Sequence, residues 1–395
     1  MIWGVLGVLV ALVAIGLGLT WWQVRRRNMQ RWLPTYLRER ERYQPVALGH
    51  EIHVLLCIAD HYEPKADGAD VATGMQRVKT WVETYPKQFA RFRDSDGRPP
   101  RYTFFFPAEE YEKQYLDALT ELVRAGFAEV ELHLHHEDDT PAGFRDKLTQ
   151  FRDLLVQTHG LLARDKHTGA VRYGFIHGNW ALCNSRPDGK ACGVNEELAI
   201  LLETGCYADF TFPSAPDITQ PPIINRIYFA ADRPGDPRSH ETMTAPGPSA
   251  LLMVQGPLLL DWTKKKWGVF PGIENGCLQA TQSPTIERLW QWLQARVQVP
   301  ERPDWFIVKL HAHGAPEHDH EPLLGEPMVR FHEELARLAR DNPKFRFHYV
   351  TARELVNCIK AAQAGFKGTV DEARDWELLP PPCQASEDAQ KAHPV

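Results

Sequence analysis

The chain has 395 residues, room for two or three domains or one large α/β barrel. Lys and Arg total 45 against 51 Asp and Glu, a formal charge of −6 that excludes the basic footprint of a nucleic-acid binder. Apolar residues at 43% and charged residues at 24% exclude wholesale disorder, and seven scattered cysteines without a CxxC pair exclude a disulfide scaffold.

From Ile2 to Trp22 the chain carries no charged residue and a single Thr. At 1.5 Å per residue that run is roughly 32 Å long, enough to cross a bilayer core. Trp21 and Trp22 close it at headgroup level, and Arg25, Arg26 and Arg27 follow. A cleaved signal peptide carries its positive charge before the apolar run and small residues after it, the reverse of this order. Residues 1–24 therefore read as a retained single-pass anchor in a bacterial-type inner membrane. The arginines place the larger part on the cytoplasmic side, with an outward-facing body as the alternative. Residues 25–50 read as a juxtamembrane helix, lying on anionic headgroups or serving as a solvated spacer.

From residue 51 onward, short β-type runs alternate with longer segments of helical spacing. Strands are expected at Ile52–Ala59, Tyr102–Phe106, Ala128–His135, Val171–His177, Tyr207–Phe212, Trp305–His311 and Phe345–Val350. Helices are expected at Val71–Arg93, Glu109–Ala125, Pro141–Gly160, Asn195–Thr204, Thr285–Val297, Pro327–Arg340 and Ala352–Ala364. Thr140-Pro141 is a helix start, with a capping hydroxyl and Pro at the first helical position. Strand–helix alternation implies a parallel sheet. Seven such units closing on themselves make an α/β fold of TIM-like barrel type the economical reading, and an open doubly wound sheet the alternative. Residues 213–280 break the rhythm and read as a long insertion with a hairpin around Ala250–Trp262 and Trp267–Phe270. Residues 366–395, polar and with Pro380-Pro381-Pro382, read as a disordered tail.

Histidine is abundant, at 17 residues, and unevenly placed. In Glu129-Val130-Glu131-Leu132-His133-Leu134-His135, strand alternation puts the apolar residues on one face and four ionisable groups on the other. Lys309, His311 and His313 share one parity. The first strand ends in Asp60-His61, and the fourth in His177-Gly178-Asn179-Trp180. Four strands thus finish in His, Asp or Asn, and in a parallel barrel such ends gather at one mouth. The run His133 to Asp139 packs imidazoles and carboxylates that need a cation or hydrogen bonds to offset their desolvation. Nitrogen and oxygen ligands of this kind suit Zn²⁺ and similar ions. His318-Asp319-His320 reads as a solvated loop, and Cys183, Cys192 and Cys206 as buried thiols. Ser239-His240 is a candidate lining of the substrate cleft.

Taken together, Ile58-Ala59-Asp60-His61-Tyr62, Glu131 to Asp139 and Lys309-Leu310-His311-Ala312-His313-Gly314 resemble the motifs of the polysaccharide deacetylases, the NodB-like carbohydrate esterases. The resemblance spans roughly residues 51–365 and implies a distorted (β/α)7 barrel. His61 stands where that family has its metal-binding Asp. With His135 matched to the first histidine of the family's HxxxH motif, Asp139 takes the second place. The resemblance therefore implies a divalent metal, Zn²⁺ first, on His61, His135 and Asp139, with His133 and His136 as reserve ligands. It further implies Asp60 as general base, His311 as the acid that protonates the leaving amine, and substrate contacts from Tyr62, His177, Asn179, Trp180 and His313. The expected substrate is an N- or O-acetylated saccharide: a lipid-linked sugar if the body is cytoplasmic, an exopolysaccharide or envelope polymer if it faces outward. The alternative is an inactive saccharide-binding relative, with Trp180, Trp262 and Trp267 as stacking faces, or a metallohydrolase with another substrate.

Overall fold

The computed structural model describes residues 2–384. Helix α1 (Ile2–Arg26) is the apolar run; its residues from Val5 to Trp22 are exposed, and Trp22 at its foot stacks on Trp267. The segment after it is not one helix but two 3₁₀ turns around the short α2 (Leu33–Arg38). Nor is it a spacer: Trp32 is wholly buried, and Arg31 binds the Gln220 carbonyl and the Glu241 carboxylate.

The body begins with β1 (Ile52–His61), α3 (Val71–Phe89), β2 (Tyr102–Pro107), α4 (Lys113–Arg124), β3 (Ala128–Leu134) and α5 (Pro141–His159). It continues through β4 (Ala163–Asp165), β5 (Val171–His177), α6 (Glu197–Thr204) and β6 (Cys206–Asp209). The insertion contributes β7 (Ile227–Ala230), β8 (Leu251–Val254), β9 (Leu259–Lys266) and β10 (Phe270–Glu274). Then come β11 (Cys277–Leu278), α7 (Ile286–Gln294), β12 (Gln298–Val299), β13 (Arg302–Ala312), α8 (His320–Leu324) and α9 (Glu326–Asp341). The described chain closes with β14 (Phe345–Tyr349), α10 (Ala352–Gln363), α11 (Val370–Ala373) and β15 (Leu378–Leu379).

The main sheet runs β11-β13-β1-β2-β3-β5-β6-β8-β7, and every pair along it is parallel except β8–β7. β14 lies beside the first half of β1, and β2 beside the second half. The end strands β11 and β7 are not paired with each other, so the sheet is a large, mainly parallel one that does not close. Its strands bury both faces, as parallel sheets do when helices cover them.

Local signals set the helix ends. Thr140 caps α5 by accepting the Gly143 amide, Pro141 opens it, and Gly160 at φ +68° ends it. Two expectations fail in the insertion and the tail. β8 joins the main sheet beside β6, and the hairpin is β9–β10 alone. Residues 366–384 are folded, because Arg353 reaches from α10 to the Asp375 carboxylate and the Leu378 carbonyl, and β15 pairs with β4. The rest of that tail lies outside the described residues.

Candidate metal centre and cleft

The carboxyl ends of β1, β3 and β13 bring His61, His133, His135 and His313 together, as parallel strands in register must. The His61 ring centroid is 4.8 Å from those of both His133 and His313, and His133 is 4.7 Å from His135. Glu63, two residues past His61, enters from the same side. Its Oε1 lies 3.2 Å from His133 Nε2 and 3.5 Å from His135 Nε2. Ligand atoms of Glu63, His133 and His135, and likewise of His61, Glu63 and His313, converge within 4.8 Å. Glu63 is common to both groups.

The hydrogen bonds fix the chemistry. His133 Nδ1 is 3.1 Å from the Ile176 carbonyl, which can only accept, so Nδ1 carries the proton. His135 Nδ1 likewise meets a carboxylate oxygen of Glu109. Both Nε2 lone pairs are then aimed at one anionic oxygen of Glu63, an arrangement that requires a cation or an added proton between them. Outer acceptors that orient ring nitrogens in this way are the usual second layer of a metal site. The residues present thus fit a divalent ion with nitrogen and oxygen preferences. Burial pushes the Glu63 carboxyl up, but its bond to His133 and the surrounding imidazoles hold it below the ordinary value. Burial, reinforced by His313 and His133, drives the His61 imidazole well below its usual range, and its Nδ1 has no partner.

Two glycines make room for the centre. A Cβ on Gly178 would meet the His135 ring at 2.4 Å, and one on Gly314 would meet Asp60 Oδ2 at the same distance.

Several expected site residues go elsewhere. Asp60 is fully buried, and its two oxygens accept the Tyr102 hydroxyl at 2.9 Å and the Gly314 amide at 2.8 Å. Burial pushes its pKa up to about 7. It holds the turn that carries His313 rather than opening into the cleft. Tyr62 points the other way from His61, into the core against Trp81 and Phe104, so it is no substrate contact. Asp139 does not converge with His61 and His135. It binds His136 Nδ1 at 3.1 Å and Lys147 Nζ at 2.8 Å. His136 and His177 lie in a second, buried group with Cys192 and Glu197, which removes His136 as a reserve ligand and His177 as a substrate contact. Ser239 and His240 are buried, His240 stacking on Phe212. In the His318–His320 run only His318 is exposed, because Asp319 accepts the Ala280 amide and His320 binds the Ala315 carbonyl. Glu63 and Glu109 were not singled out from sequence. Glu63 shares the parity of His61, and extending the alternation two residues past the strand end finds it.

Trp180, His311 and His313 line a cleft of ≈ 660 Å³ together with Ser214, Asn275 and Gln282. His311 is buried with its Nδ1 unpartnered, and burial, with help from Lys309, keeps its pKa well below normal. Asn179 stands partly exposed beside Trp180, its backbone N–H donating to His177 Nδ1 at 3.2 Å. The same cleft reaches Arg27, Asn28 and Lys264, at the foot of α1. Trp262 and Trp267 do not line it: both are exposed on the β9–β10 hairpin, and Trp267 stacks on Trp22 at 6.2 Å.

No family model matches the chain, and no curated protein matches it. Among solved structures, an α-mannosidase from Enterococcus faecalis V583 is similar at a TM-score of 0.41 and 9% identity, covering 80% of this chain. The chain spans 29% of that protein's length. So distant a likeness carries no activity with it, and the chemistry is read from the chain's own mouth of histidines and carboxylates.

Proposed function

We propose that the protein is a membrane-anchored, metal-dependent hydrolase that removes acetyl groups from an N- or O-acetylated saccharide at the bilayer surface. The observation that carries this reading is the pair of imidazoles, each with Nδ1 committed to an acceptor, that aim Nε2 at one oxygen of Glu63. The deacetylase-like motifs supply the reaction class, and the large, mainly parallel sheet supplies the strand ends that gather these side chains. The ligand set differs from the sequence expectation: Glu63, His133 and His135, with His61 or His313, would hold Zn²⁺ or a similar ion. Such an ion, when bound, polarises a carbonyl oxygen and lowers the pKa of water.

The chain's own residues do the rest. His311, held neutral, accepts the proton as water attacks the acetyl carbon, and returns it to the leaving amine or alkoxide. Trp180 offers an aromatic face to a sugar ring beside His61 and His313. Asp60 positions the His313 turn through the Gly314 amide.

Retention of α1 as an anchor is supported by its foot. Gln23 is buried and Trp22 stacks on the body, so cleavage beyond the apolar run would strip packed residues. The arginines favour a cytoplasmic body, and a cleft that opens beside the anchor favours a lipid-linked saccharide.

Acetate release from a panel of N- and O-acetylated oligosaccharides, with full-length protein in detergent, tests the reaction. Release should be abolished by chelation, by Glu63→Gln and by His311→Ala, while Asp60→Asn keeps its metal and much of its turnover. Metal bound at the mouth with no acetate released from any acetylated saccharide would reject the deacetylase reading.

A further inference from the structure

We infer that the protein carries a second, structural metal site, walled inside the body on His136, His177, Cys192 and Glu197. The four residues come from the loop after β3, the end of β5, the long loop that follows it, and the first residue of α6. All four are buried, and one ligand atom from each lies within 4.8 Å of the others. Glu197 Oε1 is 3.0 Å from His136 Nε2 and 3.6 Å from His177 Nε2. Ligand atoms on a tetrahedral zinc stand about 3.3 Å apart, so these spacings bracket the expected one. The set of two imidazoles, a thiolate and a carboxylate suits Zn²⁺.

Three independent features point to an ion. His177 Nε2 is buried without a hydrogen-bond partner and faces the group, an unfavourable state for a polar atom when nothing fills it. His136 Nδ1 is held by Asp139, which leaves Nε2 aimed at Glu197, the same carboxylate–imidazole relay found at the mouth. Cys192 Sγ accepts two backbone amides, from Asn184 at 3.3 Å and Val194 at 3.4 Å, which a coordinated thiolate could keep; its own thiol proton, now donated to the Val194 carbonyl at 3.4 Å, would leave on coordination. Glu197 has no Lys or Arg partner among the described residues, and its other oxygen accepts the Cys183 amide. In this structure His177 Nδ1 accepts the Asn179 backbone amide at 3.2 Å, so coordination through Nε2 would move the ring proton to Nδ1 and end that hydrogen bond.

The site explains the loop it closes. Residues 178–196 contain no helix or strand beyond one 3₁₀ turn, and Trp180, Cys183, Asn184 and Ala191 all hold positive φ. Such backbone needs an external tie. The ion would staple it to β5 and α6, with the Asp139 amide on the Cys192 carbonyl as a further stitch. Trp180 at one end of the staple and His135 beside His136 at the other are both parts of the mouth.

The test uses full-length protein in detergent, exchanged anaerobically into Co²⁺. Two equivalents should bind, with a near-ultraviolet cobalt–thiolate charge-transfer band. Cys192→Ser should lose the band and one equivalent, and melt at lower temperature, while Cys183→Ser keeps the band. The mouth variant Glu63→Gln should lose one equivalent and keep the band. A wild-type protein with no thiolate band, or a band that survives in Cys192→Ser, would overturn the inference, the four residues then being a hydrogen-bonded cluster only. The wild-type spectrum decides even if Cys192→Ser does not fold. A band without metal at the mouth would support this site and count against the proposed function instead.

Discussion

Gly178 shows how closely the mouth is fitted. A Cβ there would meet the His135 ring at 2.4 Å, so Gly178→Ala must push that ring off Glu63. We expect metal affinity at the mouth to fall about 10–100-fold with the melting temperature nearly unchanged, measured by titration against a competing chelator. Unchanged affinity would separate His135 from the centre. Asp209 makes a different point. Burial pushes its carboxyl up to about 7, against partial relief from the Thr211 hydrogen bonds. The folded state therefore keeps its proton through a range where the unfolded chain has lost it. Stability should fall as pH rises from near 4 to near 7, by up to ~1.4 kcal/mol per unit from this residue, and level off above. Asp209→Asn should flatten that part of the denaturation profile; an unaltered slope would assign it to other groups. At this scale the sequence showed His133 and His135 by strand parity and His61 by its place at a strand end, but not which carboxylate they share. Glu63 sits just beyond a strand end, where alternation is no longer guaranteed, and Asp139 was matched by spacing in a loop whose path the sequence does not specify.

Among the elements, β3 is the clearest lesson. Its polar face was legible as Glu129, Glu131, His133 and His135, yet only the two histidines reach the mouth. Glu129 pairs with Arg353 of α10, and Glu131 accepts the Tyr207 hydroxyl and the Gly174 amide, so the lower half of the face is a buried polar network. Arg353 sits far along the chain, and no local pattern announces that pairing. Helix positions were legible because caps and periodicity are local. α4 begins later than expected, at Lys113, because Ala108–Glu110 form a 3₁₀ turn that delivers Glu109 to His135. The β9–β10 hairpin lies at the foot of α1: Trp262, Trp267 and Val269 are exposed beside Lys264, Lys265 and Lys266, and Trp267 touches Trp22. Aromatic and cationic side chains of this kind settle at the headgroup layer. A nitroxide at Val269→Cys in nanodiscs should be shielded from a water-soluble relaxant. Free access would place the hairpin in solvent. Labelling is selective once Cys383 is replaced, the other six cysteines being buried.

For the whole molecule, the anchor, hairpin, cleft and mouth form one sequence in space. The juxtamembrane segment is bolted to the insertion by Arg27 on the Pro271 carbonyl, Asn28 on the Pro216 carbonyl and Arg31 on Glu241. That holds the cleft at the foot of α1 rather than swinging it on a tether. Composition and hydropathy had indicated the span and the α/β class; the docking depends on side-chain-to-carbonyl bonds between segments far apart in sequence, which no periodicity encodes. The metal centre on Glu63, His133 and His135 is open to elemental analysis of full-length protein purified without added metal, beside Glu63→Gln and His133→Ala. The wild type should carry a transition metal at the mouth in near-stoichiometric amount, and each variant one equivalent fewer. Equal metal in all three proteins, or none at the mouth after incubation with Zn²⁺ and desalting, would contradict it.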